Sequence, residues 1–304
     1  MAAPWRTVQN QVEWGSAKHR VFDASVDLLE AEVFDTTNQV PISVRNHPVV
    51  GARWTKFSFK ALLCGSGTPL GVAPPLGPIF KMCGLKETVS ASTSVTYAQT
   101  GDLATDTTPL DIDFAIGNGY KIPLANCVGD CSFEIAAGAP VVVSVNGVGI
   151  YTAPTEAALA SSIEVAANPV AAVGLTVSMA GAAALVLKRV GIALNNETNS
   201  PNLSIVATDG CDDPDLVDQK PSFGFLCEVP ALSVLNFPTR FTGGTSTALA
   251  IALGTVSGNI CNMAATGYPM AAPAFSDVNG ILAVTNSYRV GWEAGDTKFQ
   301  MVFT

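Results

Sequence analysis

The sequence predicts an all-β protein, a sandwich or barrel with one or two short flanking helices, and three observations predict it. Short runs alternate apolar and polar residues with a period of two, β-branched residues recur along the chain, and Gly, Pro and Asn punctuate the runs.

The first run is WTKFSFKALL from Trp54 to Leu63. It sets Phe57, Phe59 and Ala61 on one face and Lys56, Ser58 and Lys60 on the other. A Gly/Pro segment follows, and Pro75 to Cys83 within it reads as a short helix, because Pro fits a first turn and Gly84 supplies a stop. Strands are predicted at Thr93 to Ala98 and Leu110 to Ile116, with a turn at Gly117, Asn118 and Gly119. Further strands are predicted at Ser132 to Ile135, Pro140 to Val145, Gly174 to Met179 and Leu185 to Leu194. The last set is Ser222 to Val229, Ser246 to Leu253 and Ile281 to Val290. Local propensity makes Pro154 to Ala167 a helix, with Thr152 as a cap and Pro154 and Glu156 in its first turn.

The chain has 304 residues and shows no fixed-period repeat, so a single domain is expected. Charged residues are only 13% of it, against 48% hydrophobic, which predicts a surface largely covered by partners. No run approaches the length of a membrane helix. The opening MAAPWRTVQNQVEWG has no apolar stretch of the signal-peptide kind, so folding is expected in a cytoplasm. A net charge of −9 argues against a protein that grips nucleic acid, since phosphate binding needs clustered Lys and Arg.

No catalytic, cofactor or metal site is expected. The histidines, His19 and His47, both fall near the start of the chain. CGSGTPLG lacks the Lys-Ser/Thr end of a phosphate loop. The seven cysteines are scattered and odd in number, which predicts buried free thiols, and Cys127 and Cys131 alone are too few for zinc. The acid pairs Asp111 with Asp113 and Asp212 with Asp213 read as solvated carboxylates, and Cys211 to Asp218 as an exposed turn.

Four stretches, in order, resemble the phage tail tube protein family. They are KFSFKALLCGSGTPLGVAPPLGPIFKMCGLKETVSASTSVTY from Lys56, VSVNGVGIYTAPTEA from Val143, KRVGIALNNE from Lys188 with DQKPSFGFLCEVPAL from Asp218, and GTVSGNI from Gly254 with PAFSDVNGILAVTNSYRV from Pro273. The resemblance implies one tail tube domain over 1–304, with a loosely matched N-terminal arm at 1–50 and a β core at 51–304. It implies an irregular connection after Pro154, against the local helix propensity there. It further implies a structural virion protein, assembled in the host cytoplasm, whose hexameric rings stack into a tail tube that delivers DNA. Its partners would be itself, a tape measure protein in the lumen, and terminator and distal tail proteins at the ends, with only transient passage of DNA. The alternatives are a single-ring tail protein of the same fold and a β-sandwich carbohydrate-binding module.

Two sets of contact residues are expected on this reading. Asp111 and Asp113 alternate with apolar residues and are candidates to face the lumen, where carboxylates repel phosphate; the outer wall is the alternative. The stretch from Asp35 to Val50 is expected to reach a neighbouring subunit or ring, with Asp35, Asn38, Arg45 and His47 as contacts.

Overall fold

The computed structural model describes residues 11–15, 17–19, 21–34, 49–67, 70–99, 101–116, 119–157, 169–173, 175–182, 185–207, 210–291 and 298–304. Their fold is all-β. In chain order the first strands are β1 (Gln11–Trp14), β2 (Ala17–His19), β3 (Val21–Phe34) and β4 (Val49–Leu62), followed by helix α1 (Gly77–Met82). Then come β5 (Leu85–Ser90), β6 (Ser94–Gln99), the one-turn helix α2 (Leu103–Asp106), β7 (Leu110–Ile116), β8 (Tyr120–Ala136), β9 (Val142–Tyr151) and β10 (Thr155–Glu156). The middle of the chain gives β11 (Thr176–Met179), β12 (Leu187–Ala193), β13 (Asn196–Thr198), β14 (Leu216–Gln219) and β15 (Ser222–Glu228). Helix α3 (Phe237–Thr242) precedes β16 (Thr247–Leu253), β17 (Cys261–Pro269), β18 (Ala274–Val278), β19 (Ile281–Val290) and β20 (Gln300–Phe303).

All named strands but β13 and β14 join one antiparallel sheet. One continuous path through it runs β3, β4, β9, β8, β12, β15, β19, β18. A branch leaves β19 through β17, which pairs with β16 on one side and β20 on the other; β20 leads to β6 and β5. The long strand β8 makes this possible. Its first half pairs with β7 and its second half with β12, while β9 lies along its other edge.

The sheet folds back on itself because its apolar face must be covered. Phe57 of β4 and Phe114 of β7 lie with ring centroids 5.7 Å apart, although β9 and β8 separate their strands in the sheet. Trp14 of β1 likewise stacks on Phe59 of β4 at 5.8 Å. In the other half Phe133 of β8 meets Phe299, just before β20, at 5.8 Å. Phe80 of α1 touches Phe133, Tyr97 and Phe303, so the helix plugs that half of the core. Such ring pairs add ~0.5–1.5 kcal/mol each beyond their burial. One hydrophobic cluster runs from Val12 to Phe303.

The predicted alternation in β4 holds, with Phe57, Phe59 and Ala61 buried. Helix α1 lies inside the predicted span, and Gly84, at φ +75°, ends it by donating its amide to the Lys81 carbonyl. In the N-terminal stretch β1 pairs with β7 and β3 with β4. One expectation needs correction. The helix predicted from Pro154 does not begin there, because Thr155 and Glu156 form β10 against Lys121 and Tyr120; residues 158–168 lie outside the described set.

Candidate functional site

Two surfaces carry the chemistry this fold offers: a face of carboxylates around β7 and β8, and the open edges of the sheet. In β7, Ile112 and Phe114 point into the core, and Asp111 and Asp113 occupy the opposite face. The two acids differ in company. The Asp113 carboxylate is 2.7 Å from the Lys121 ammonium, which also holds Glu13 at 3.1 Å. Glu13, on β1, is only 4% exposed, so this cation supports two carboxylates at once. The hydrogen bond to Asp113, helped by that to Glu13, raises the Lys121 pKa against the opposing effect of burial. Asp113 therefore does not present a bare negative charge.

Asp111 accepts a hydrogen bond from the backbone N–H of Asn126 at 3.0 Å. Asn126 sits at a bulge where the β8–β9 register shifts, with φ of +50°, a conformation Asn tolerates better than most residues. The bulge re-aims its side chain, whose amide donates to the Asp213 carboxylate at 2.8 Å. The loop carrying Asp213 is tied down in turn, since Asp212 N–H donates to the Asn202 carbonyl and Asp215 N–H to Asn199 Oδ1, each at 2.7 Å. Asp111, Asp212 and Asp213 form no ion pair among the described residues. The two acid pairs seen separately in the sequence thus contribute to one exposed acidic face.

Among the described residues β3 and β18, the two ends of the eight-strand path, each pair on one side only, as do β5 and β11 at the ends of branches. β3 runs 14 residues and exposes Phe22, Leu29 and Val33. Its register shifts three times against β4, and Asp23 and Glu30 pair with Lys60 and Lys56. Bulges and charges of this kind blunt an edge. β18 has less protection: Asp277 is its one charged residue, and Phe275 is 51% exposed. Phe275 lies opposite Val284 in the register, and Leu282, two residues away, shares their face and is 57% exposed.

The remaining candidates are accounted for structurally. His19 stacks on Trp14 with centroids 3.4 Å apart and donates from Nε2 to the Trp14 carbonyl. The amides of Gly65 and Gly67, which a phosphate loop would aim at a ligand, donate instead to Asn259 Oδ1 and the Gly258 carbonyl. All seven thiols are free and six are buried, Cys64 being half-buried. Burial, joined by the nearby Asp111 charge, pushes the Cys127 thiol up, and burial also raises that of Cys131. Among the described residues no cluster of three or more His, Cys, Asp or Glu converges as metal ligands. No helix among them is long and apolar enough to cross a membrane. Asp35, Asn38, Arg45 and His47, and with them the expected contact loop, lie outside the described residues.

Sequence reasoning missed Glu13, Lys121 and Asn126. Asn126 had a signal, a lone Asn inside a β-rich run, which marks a bulge. No known protein family matches the chain, and no curated protein is significantly similar to it.

Proposed function

We propose that the chain is a self-assembling structural subunit, and specifically that its rings stack into a phage tail tube of the kind the four sequence stretches resemble. The observation that carries this reading is the pair of open edges at opposite ends of one sheet path, both bearing exposed apolar side chains. Two different sticky edges on one chain suit head-to-tail contacts, which close into rings. Joining β3 of one copy to β18 of the next would continue the sheet around such a ring and remove both edges.

The low charge content fits a surface that neighbours cover. The acidic face around Asp111 and Asp213 suits a lumen wall, because carboxylates without cationic partners repel passing phosphate. On this reading the lumen also holds a tape measure protein, and terminator and distal tail proteins cap the ends. Chemistry is no part of the role.

The test is negative-stain electron microscopy of the purified chain alongside Phe275→Lys, which places a charge on the open edge. Hollow tubes or stacked rings for the native chain, lost in the variant while its β-sheet circular dichroism persists, are expected. Single rings that never stack would instead select the single-ring tail protein. Monomers at every concentration would reject self-assembly of the isolated chain.

A further inference from the structure

Glu13, Asp113 and Lys121 stand on three neighbouring strands, and the register brings them together. Glu13 of β1 is directly opposite Asp113 of β7. Lys121 of β8 is opposite Ala115, two residues along β7 and therefore on the face of Asp113. Its nitrogen lies 2.7 Å from Asp113 Oδ2 and 3.1 Å from Glu13 Oε2. The Lys121 side chain is 19% exposed and that of Glu13 5%, whereas the other paired lysines among the described residues are 31–57% exposed. Pairs of the exposed kind are solvated and stay ionic. This one sets a nucleophile, an electrophile and a proton carrier in mutual contact where little water reaches.

An amine and a carboxylic acid condense to an amide when both are neutral and touching. The hydrogen bond from Lys121 to Asp113 is the path for the first proton, and transfer across it leaves an amine beside a carboxylic acid. The nitrogen then attacks Asp113 Cγ, while the Glu13 carboxylate takes a proton from that nitrogen and returns it to the departing oxygen. One C–N bond forms, one C–O bond breaks, one water leaves, and Glu13 ends as it began. The balance calls for no other reactant. Contact supplies the effective concentration, and a neutral amide replaces two partly desolvated charges.

We propose that Lys121 and Asp113 join in an intramolecular isopeptide bond that the chain makes on itself, with Glu13 as the proton carrier. The bond locks β7 to β8 beside the exposed acidic face. It closes slowly, because the hydrogen bond to Asp113 foremost favours the ammonium and keeps the free amine scarce. The ion pair is the state before closure. This is one self-modification, not turnover, and it stands apart from the assembly reading because it needs no neighbouring copy.

The experiment is intact-mass spectrometry of the full chain, fresh and after weeks of incubation at neutral pH. The native mass is expected to fall by one water. Chymotrypsin cuts after Phe114 and Tyr120, and it should then release the pieces bearing Asp113 and Lys121 as one branched peptide. Lys121→Arg, which keeps the charge without the nucleophile, is expected to hold its full mass. Glu13→Gln is expected to lose water about a hundred-fold more slowly while its β-sheet circular dichroism persists. Full mass retained by the native chain overturns the proposal. So does a water lost without a branch, which marks a cyclised aspartate, a branch from Lys121 to Glu13, or an equal rate in Glu13→Gln.

Discussion

Asp111 and Asp213 meet on Asn126, which donates its backbone N–H to the first at 3.0 Å and its side-chain amide to the second at 2.8 Å. One bulge residue thus fastens the loop that ends in β14 to the β7–β8 hairpin.

Replacing Asn126 separates the parts of that arrangement. Asn126→Gly keeps the left-handed backbone and loses only the amide bond to Asp213, so its expected cost is about 1 kcal/mol. Asn126→Ala loses the same bond and also strains the backbone, for about 2 kcal/mol in all. Urea midpoints of the two variants measure the difference; equal values would show that the φ of Asn126 carries no strain.

Gly147 of β9 lies against Phe57, and a β-carbon added there would clash with the Phe57 ring edge and the Val128 carbonyl. Since Phe57 is buried against Phe59 and Phe114, it has little room to yield. Gly147→Ala is expected to destabilise by about 1–3 kcal/mol, read from the thermal midpoint. Gly138→Ala provides a control of another kind, with open space around the new carbon but a φ of +79°.

Lys121 holds the nearly buried Glu13 carboxylate at 3.1 Å. Lys121→Met takes the ammonium away from that nearly buried carboxylate and should cost about 3 kcal/mol. Because the folded-state pKa of Lys121 is raised, its contribution is fully present below the unfolded value, about 10.4, and fades as pH climbs through the folded one. Stability measured from pH 8 to 11 should therefore fall less steeply in the variant than in the native chain.

Tyr97 donates to the Glu87 carboxylate at 2.6 Å. Burial first, then the hydrogen bond and charge of Glu87, hold its phenol well above the ordinary tyrosine range. Its stabilising effect is complete below the unfolded pKa, about 10, and is lost as pH rises beyond it. Ultraviolet titration should show fewer tyrosines ionising before unfolding than after it, with Tyr97 and also Tyr288, whose phenol burial likewise raises, among the late ones. Tyr97→Phe should cost about 1.5–3 kcal/mol, as for a hydrogen bond to a charged group.

A thiol reagent at pH 8 should modify Cys64 first, since it alone is half-buried, and the six buried cysteines only on unfolding. Cys227, pushed up to about 11 by burial and then by the Glu228 charge, should remain unreactive in the folded chain. Early modification of more than one thiol would mean that the core opens locally.

Where the sequence was legible, the reason was periodicity. β15 and the stretch of β4 from Thr55 to Leu62 alternate cleanly, and they, β7 and β19 lie where the sequence predicts strands. The first half of β8 was missed because Pro123, Asn126 and Gly129 read as breakers. Pro123 pairs with Asp113 on one side and falls between β10 and β9 on the other, where its missing N–H breaks no ladder bond. Gly129 is required because a β-carbon there would meet the Asn146 carbonyl across the strand pair. β3 escaped notice because its three register shifts break the period of two that would reveal it.

By itself the sequence determined the all-β class, the short helix before Gly84, the faces of the regular strands and a surface poor in charge. These follow from local patterns of side chains that repeat every two residues. Only the tertiary structure decided that Asp111 shares Asn126 with Asp213, that Lys121 neutralises Asp113 and Glu13, and that β3 and β18 end one sheet path. Pairing between distant segments sets those outcomes, and it depends on how a twisted sheet folds back to cover its apolar face, which no local pattern encodes.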